Sequence, residues 1–153
     1  ILFVGSVSVY KRQAVSDLVD NTNFIAGTKV SAIGINTVYA DRDSTNTAAA
    51  SAQVFKFLGM TTAYTSAAGT KSILIGGTFA NNTANSVNLT IEVHDTSAGI
   101  QAALASKIPV PTGSSFVISE AGKTILEATD EVRVFCDTAN AIDVNLSILT
   151  GVS

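Results

Sequence analysis

The chain has one imidazole, His94, which stands beside Asp95 and three positions before Ser97. These are the three residue types of a nucleophilic hydrolase. That chemistry needs the imidazole within hydrogen-bond reach of the hydroxyl, with a carboxylate orienting it from the other nitrogen. Sequence neighbours on a strand project to opposite faces, so Asp95 is not placed to orient His94. The Gly-x-Ser-x-Gly turn that presents a serine nucleophile is also missing. His94 is therefore read as an exposed or interface histidine on the polar face of a strand. No catalytic residue is assigned.

Three other stretches could bind ions or groups. Gly69-Thr70-Lys71-Ser72 has the flavour of a phosphate loop, but that motif needs adjacent Gly-Lys, an earlier Gly and a helix behind it. Here Thr70 intervenes and a β-branched run follows, so the segment reads as the start of a strand. Asp41-Arg42-Asp43-Ser44-Thr45-Asn46 sets oxygen ligands at alternating positions, as a calcium loop does. The sixth position, however, is Asn46 rather than Gly, and the twelfth is Ala52 rather than Glu. Glu127, Asp130 and Glu131 form a second acidic group at a turn, and both groups are read as solvated carboxylates. Asn81-Asn82-Thr83, Asn88-Leu89-Thr90 and Asn145-Leu146-Ser147 match the glycosylation triplet, as expected by chance in a chain this rich in Asn, Ser and Thr. Cys136 falls on the apolar side of its run and reads as a small core residue. No cofactor or metal site is assigned.

The composition agrees with that absence of chemistry. Of 153 residues, 46% are hydrophobic and only 14% charged, against the roughly 25% charged of an average soluble protein. Intrinsic disorder is excluded. Nine Lys and Arg stand against twelve Asp and Glu, a net charge of −3, which gives no basic footprint for nucleic acid. The lone Cys136 excludes an intrachain disulfide and a multi-cysteine metal site. Mean hydropathy is high at +0.37, yet no run approaches the ~18–20 apolar residues of a membrane helix. The surplus of apolar side chains is expected to be buried against other subunits.

The elements that must position these residues are strands. Val87, Leu89, Ile91 and Val93 alternate with Asn88, Thr90, Glu92 and His94. Val132, Val134 and Cys136 alternate with Glu131, Arg133 and Phe135, and Ile142, Val144, Leu146 and Ile148 with Asp143, Asn145 and Ser147. Period two with β-branched residues marks half-buried strands. Turn chemistry separates them at Asn81–Ser86, Glu120–Lys123 and Asp137–Asn140. Pro109 and Pro111 make their segment an edge or a connection. The expected fold is all-β, an antiparallel sandwich of the jelly-roll or immunoglobulin kind with little helix. A turn or two of helix is expected at most in Thr47–Gln53 and around Ala98–Ser106. The core is expected to use Ile73, Ile75, Phe79, Leu89, Ile91, Val93, Val132, Val134, Val144, Leu146 and Ile148. Residues 61–153 should form the sandwich core, and residues 1–60 an N-terminal β arm or the sandwich's first half.

An internal echo links the two parts. Ala26-Gly27-Thr28-Lys29 with Ile33-Gly34 recurs as Ala68-Gly69-Thr70-Lys71 with Ile75-Gly76. Each copy reads as a turn at Ala-Gly leading into a strand. Ile1–Tyr10 is apolar on both faces and lacks a basic leader, so it is expected to be a strand lying against a neighbour. The long excursion Asp41–Gln53 is expected to pack against another surface. The sequence begins on Ile1, which suggests a processed product or a piece of one.

Residues 62–149 resemble a known group of proteins. The cadence runs Tyr64-Thr65, Ala68-Gly69-Thr70-Lys71, Ile73–Gly76, Phe79-Ala80-Asn81, Val87–Val93 and Lys107–Ser115. It continues with Gly122–Asp130, Val132-Arg133-Val134 and Ala141–Ile148. This is similar to small all-β virion proteins encoded among the structural genes of tailed bacteriophages. The chain departs from the pattern where Thr70 is interposed in Gly-Lys and where Thr129 replaces the Gly before Asp130. The resemblance implies a non-enzymatic structural protein of the virion, located in capsid decoration, head–tail connection or the tail. It implies partners among other virion proteins and copies of itself, as a homo-oligomer or part of a large assembly, without nucleic acid or membrane. Gly69, Gly122 and Asp130 would be turn residues only. The rival reading is a receptor-binding or adhesin-type module recognising a surface glycan, for which Tyr10, Tyr39 and Tyr64 are the available aromatics.

Overall fold

The structure is a computed structural model, and it describes residues 2–3, 14–35, 37–45, 56–119 and 123–152. Among the described residues there is no helix; strands and turns account for all regular structure. The chain divides into two compact units, Ile1–Gly59 and Met60–Ser153.

Among its described residues, the first unit holds five short strands: β1 (Leu2–Phe3), β2 (Leu18–Asp20), β3 (Val30–Ile33), β4 (Val38–Ala40) and β5 (Lys56–Leu58). The first, fourth and third form an antiparallel sheet in the order β1-β4-β3, and β2 pairs with β5. Val19, Phe24, Val30 and Val38 make its core, with Ala40 and Phe57 against them. Leu2 and Phe3 pair with Tyr39 and Val38 of the same chain. The rest of Ile1–Tyr10 lies outside the described residues, as do residues 46–53 of the Asp41–Gln53 excursion.

Among its described residues, the second unit has eight strands: β6 (Thr61–Thr65), β7 (Lys71–Asn81), β8 (Val87–Asp95), β9 (Ile100–Val110), β10 (Ser115–Ile118), β11 (Thr124–Leu126), β12 (Glu131–Cys136) and β13 (Ile142–Val152). One sheet runs β6-β12-β8-β9. In the other, β7 is central, with β13 along one side and β10 and β11 end to end along the other. All pairings are antiparallel. Side chains from both sheets form a single core of Leu74, Phe79, Val87, Leu89, Ile91, Val93, Ala105, Val110, Leu126, Val132, Val134 and Ala141. This is the all-β, sandwich-type fold that the alternating runs imply.

The expected core needs three corrections. Ile73 and Ile75 do not join it, whereas Leu74 is fully buried. The reason is a bulge. Gly76 stands opposite Ser147 and Leu74 opposite Ile148, so Ile75 is an extra residue in β7. One extra residue reverses which side chains face inward, and Leu74 and Phe79 then share the core although an odd number of positions separates them. Two glycines mark the spot. A Cβ on Gly76 would lie 2.8 Å from the Ile118 carbonyl oxygen, and one on Gly77 2.8 Å from Leu146 Cδ2. Val144 faces inward opposite Phe79 but is 39% exposed, because β13 is the last strand of its sheet. The helical turns entertained around Ala98–Ser106 are instead a turn and the strand β9, since pairing with β8 overrides the weak preference of Ala and Ser. Thr47–Gln53 lies outside the described residues.

Turns repeat where the sequence echoes itself. Gly27 and Gly69 have φ of 85° and 77°. In each copy the following threonine closes the turn twice: Thr28 donates N–H and Oγ1 to the Ile25 carbonyl, and Thr70 donates both to the Ala67 carbonyl. The positive φ at the third turn position is what glycine supplies.

Candidate functional site

His94 projects from the outer face of its sheet, level with Glu131 on β12 and Gln101 on β9. The pleat places Arg133 and Glu92 opposite each other in the next row of that face. Arg133 donates from Nε and Nη2 to Glu131 Oε2 at 2.7 and 2.6 Å. Those bonds hold the Glu131 carboxyl below its usual range. His94 Nδ1 lies 3.6 Å from the same oxygen, and this nitrogen is buried with no hydrogen-bond partner among the described residues. Asp95 does not orient the imidazole. Its carboxylate accepts from the Ala98 N–H at 2.9 Å and from Ser97 Oγ at 2.8 Å, which keeps its pKa low. Ser97 therefore donates to Asp95 rather than meeting a base, and the three hydrolase residue types are not assembled as a relay.

Asp130 is a buried junction between three loops. Its Oδ2 accepts from the Glu127 N–H at 2.9 Å, its Oδ1 from the Thr96 N–H at 3.3 Å, and its carbonyl from the Ser66 N–H at 2.8 Å. It is engaged by backbone rather than held for a metal. Glu127 instead pairs with Lys71 at 3.0 Å on the surface. Asp41 accepts the Lys29 N–H at 2.8 Å, and among the described residues no three His, Cys, Asp or Glu side chains converge.

Two of the three glycosylation triplets, those of Asn81 and Asn88, prove to be structural pieces. Asn81 is buried and uses its whole amide: Nδ2 donates to the Asn85 and Val110 carbonyls, and Oδ1 accepts from Thr83 N–H and Oγ1. Asn88 donates to Asp137 Oδ2 at 2.7 Å. The Cys136 thiol is half-buried, and that burial pushes its pKa up, so it is not a reactive thiolate. Tyr64 is half-buried with its hydroxyl 2.9 Å from Ser72 Oγ, Tyr39 is exposed on β4, and Tyr10 lies outside the described residues.

What the second unit offers outward is surface. The bulge that sends Leu74 inward sends Ile73 outward, where it stands in register between Ile125 of β11 and Leu149 of β13. Ile125 is 63% exposed and Leu149 51%. This apolar row crosses three strands beside the Lys71–Glu127 ion pair. Period-two reading assigned Ile73 to the interior, and the missed signal was the Gly76-Gly77 pair that permits the phase change.

The strand edges differ as sharply. The β9 edge carries Pro109, Lys107 at a φ of 52°, and two bulges. β6, β10 and β11 have five residues or fewer. β13 has eleven residues, and no described strand pairs with its outer side. No known protein family, curated protein or solved structure matches the chain.

Proposed function

We propose that this chain is a non-enzymatic structural protein of a tailed-phage virion, working through subunit packing in capsid decoration, a connector or the tail. The observation that carries the reading is the outward-facing apolar row of Ile125, half-buried Ile73 and Leu149, whose two ends are exposed. Contiguous apolar surface on a sheet face, where a solvated antiparallel sheet would carry polar residues, is the mark of a surface that another protein covers. The low charge of the chain supports the same reading, since Ser, Thr and Asn surfaces meet partners without the desolvation cost of Lys or Glu. So does the resemblance over residues 62–149 to small all-β virion proteins.

The direct test is mass spectrometry of purified, genome-filled particles from the source. The chain is expected at a fixed copy number that survives high-salt washing. Its absence from particles would overturn the reading, and saturable binding of the isolated chain to a surface glycan would establish the receptor-binding alternative.

A further inference from the structure

We infer that β13 is a self-association edge, pairing antiparallel with β13 of a second copy of this chain about a two-fold axis. The inference rests on the assembly reading above and names the partner. An exposed strand edge is a template for another strand, and proteins that remain monomeric blunt their edges with short strands, lysine, proline or bulges. The other edges of the second unit use these devices: β9 has Pro109, Lys107 and two bulges, and β6, β10 and β11 are short. β13 has none of them over Ile142–Thr150. The bulge at its middle belongs to β7, where Ile75 is the extra residue, and its own extra residue is Gly151, near its end. Among the described residues, about 30 Å of straight edge has no strand paired to it.

Charge and pattern favour a second copy as the occupant. Asp143 is the single charged residue of β13, and its Oδ1 already accepts from Asn82 Nδ2 at 3.2 Å. Two copies therefore meet without opposed lysines or a run of acids. Ile142, Val144, Leu146 and Ile148 face inward while Asp143, Asn145 and Ser147 face outward. Reversed about any of its own residues, that alternation stays in phase, so a two-fold axis sets apolar against apolar and polar against polar. Val144, inward-facing yet 39% exposed, is the side chain such a strand would cover.

The test is sedimentation of the full chain together with the double variant N145K/S147K. Both substitutions lie on the outward face of β13, away from the core. The wild-type chain is expected at twice its monomer mass, and the variant at the mass of one chain with an unchanged far-UV spectrum. The same charge placed on the β9 edge as A103K should leave the doubled mass intact. A wild-type chain that stays monomeric on concentration, or a dimer that N145K/S147K does not split, overturns the proposal. Should the variant misfold, amide exchange of the wild type decides. Protection of alternate β13 amides that fades on dilution supports the pairing, and protection independent of concentration refutes it. A dimer missing from particles would leave this pairing standing and remove the virion reading. A monomeric chain present in particles would do the reverse.

Discussion

Thr129 sits at a φ of 70°, a left-handed conformation that is unfavourable for a β-branched residue. It occupies the place where the resembled pattern has glycine, and the backbone explains why glycine suits it. The strain costs about 1–2 kcal/mol. The hydroxyl recovers part of this through its 2.6 Å contact with Thr96 Oγ1 on the surface. Thr129→Gly is therefore expected to raise stability by about 0.5–1 kcal/mol in urea unfolding, the gain being trimmed by the freer unfolded chain. Asp130 beside it should behave oppositely. Asp130→Ala strands the Glu127 and Thr96 N–H groups and should cost about 1–3 kcal/mol in the same measurement. Glu131 sets a pH dependence. Its folded pKa is depressed by Arg133, so the folded state binds fewer protons than the unfolded one. Its contribution is present above the ordinary glutamate value and is lost as pH falls through the lower, folded value. Melting curves from pH 6 downward should show Glu131→Gln losing less stability on acidification than the wild type. At this scale the sequence was readable for turns: Gly69 and Asp130 occupy the turn positions expected of them. It was not readable for His94, whose partial burial beside Glu131 depends on a cross-strand register that no local pattern specifies.

The bulge in β7 governs the elements. Gly76 has no room for a methyl group against the Ile118 carbonyl, and that contact is with backbone rather than a flexible side chain. Gly76→Ala should destabilise by about 1–3 kcal/mol, the range for forcing atoms into a packed site, as read from the thermal midpoint with circular dichroism. Alternation located β8, β12 and β13 closely, because each has one face in the core and one outside. It failed in β7, where a single inserted residue exchanges the faces midway, so Ile73 and Ile75 lie outside and Leu74 inside. It failed again in β9, whose run of Ala, Ser and Gln has no apolar period to read and is held as a strand by its neighbour. The apolar row that now supports an assembly role was hidden by the first of these failures.

At the scale of the molecule, each unit carries its own core, and the two clusters share no residue. A chain of residues 60–153 is expected to keep the β spectrum and cooperative melting of the second unit, and loss of that transition on truncation would show the cores to be interdependent. That boundary has no linker signature, and composition gave no cue to a separate cluster around Phe24 and Val30. The placement of β7 has a consequence for how the chain is made. All its partners come later in sequence: β10 opposite its end, β11 opposite its start, then β13 along its whole length. During synthesis this apolar strand therefore waits without a partner while β8 and β9, which pair with each other, form a hairpin beside it in the chain. Its last register pair, Lys71 with Val152, closes only after the whole of β13 has been synthesised. Such long-range closure is slow, on the order of milliseconds to seconds. Throughout that interval the nascent chain exposes Leu74 and Phe79, so its yield in cells should depend on a ribosome-bound holding chaperone far more than the stability of the finished sandwich implies.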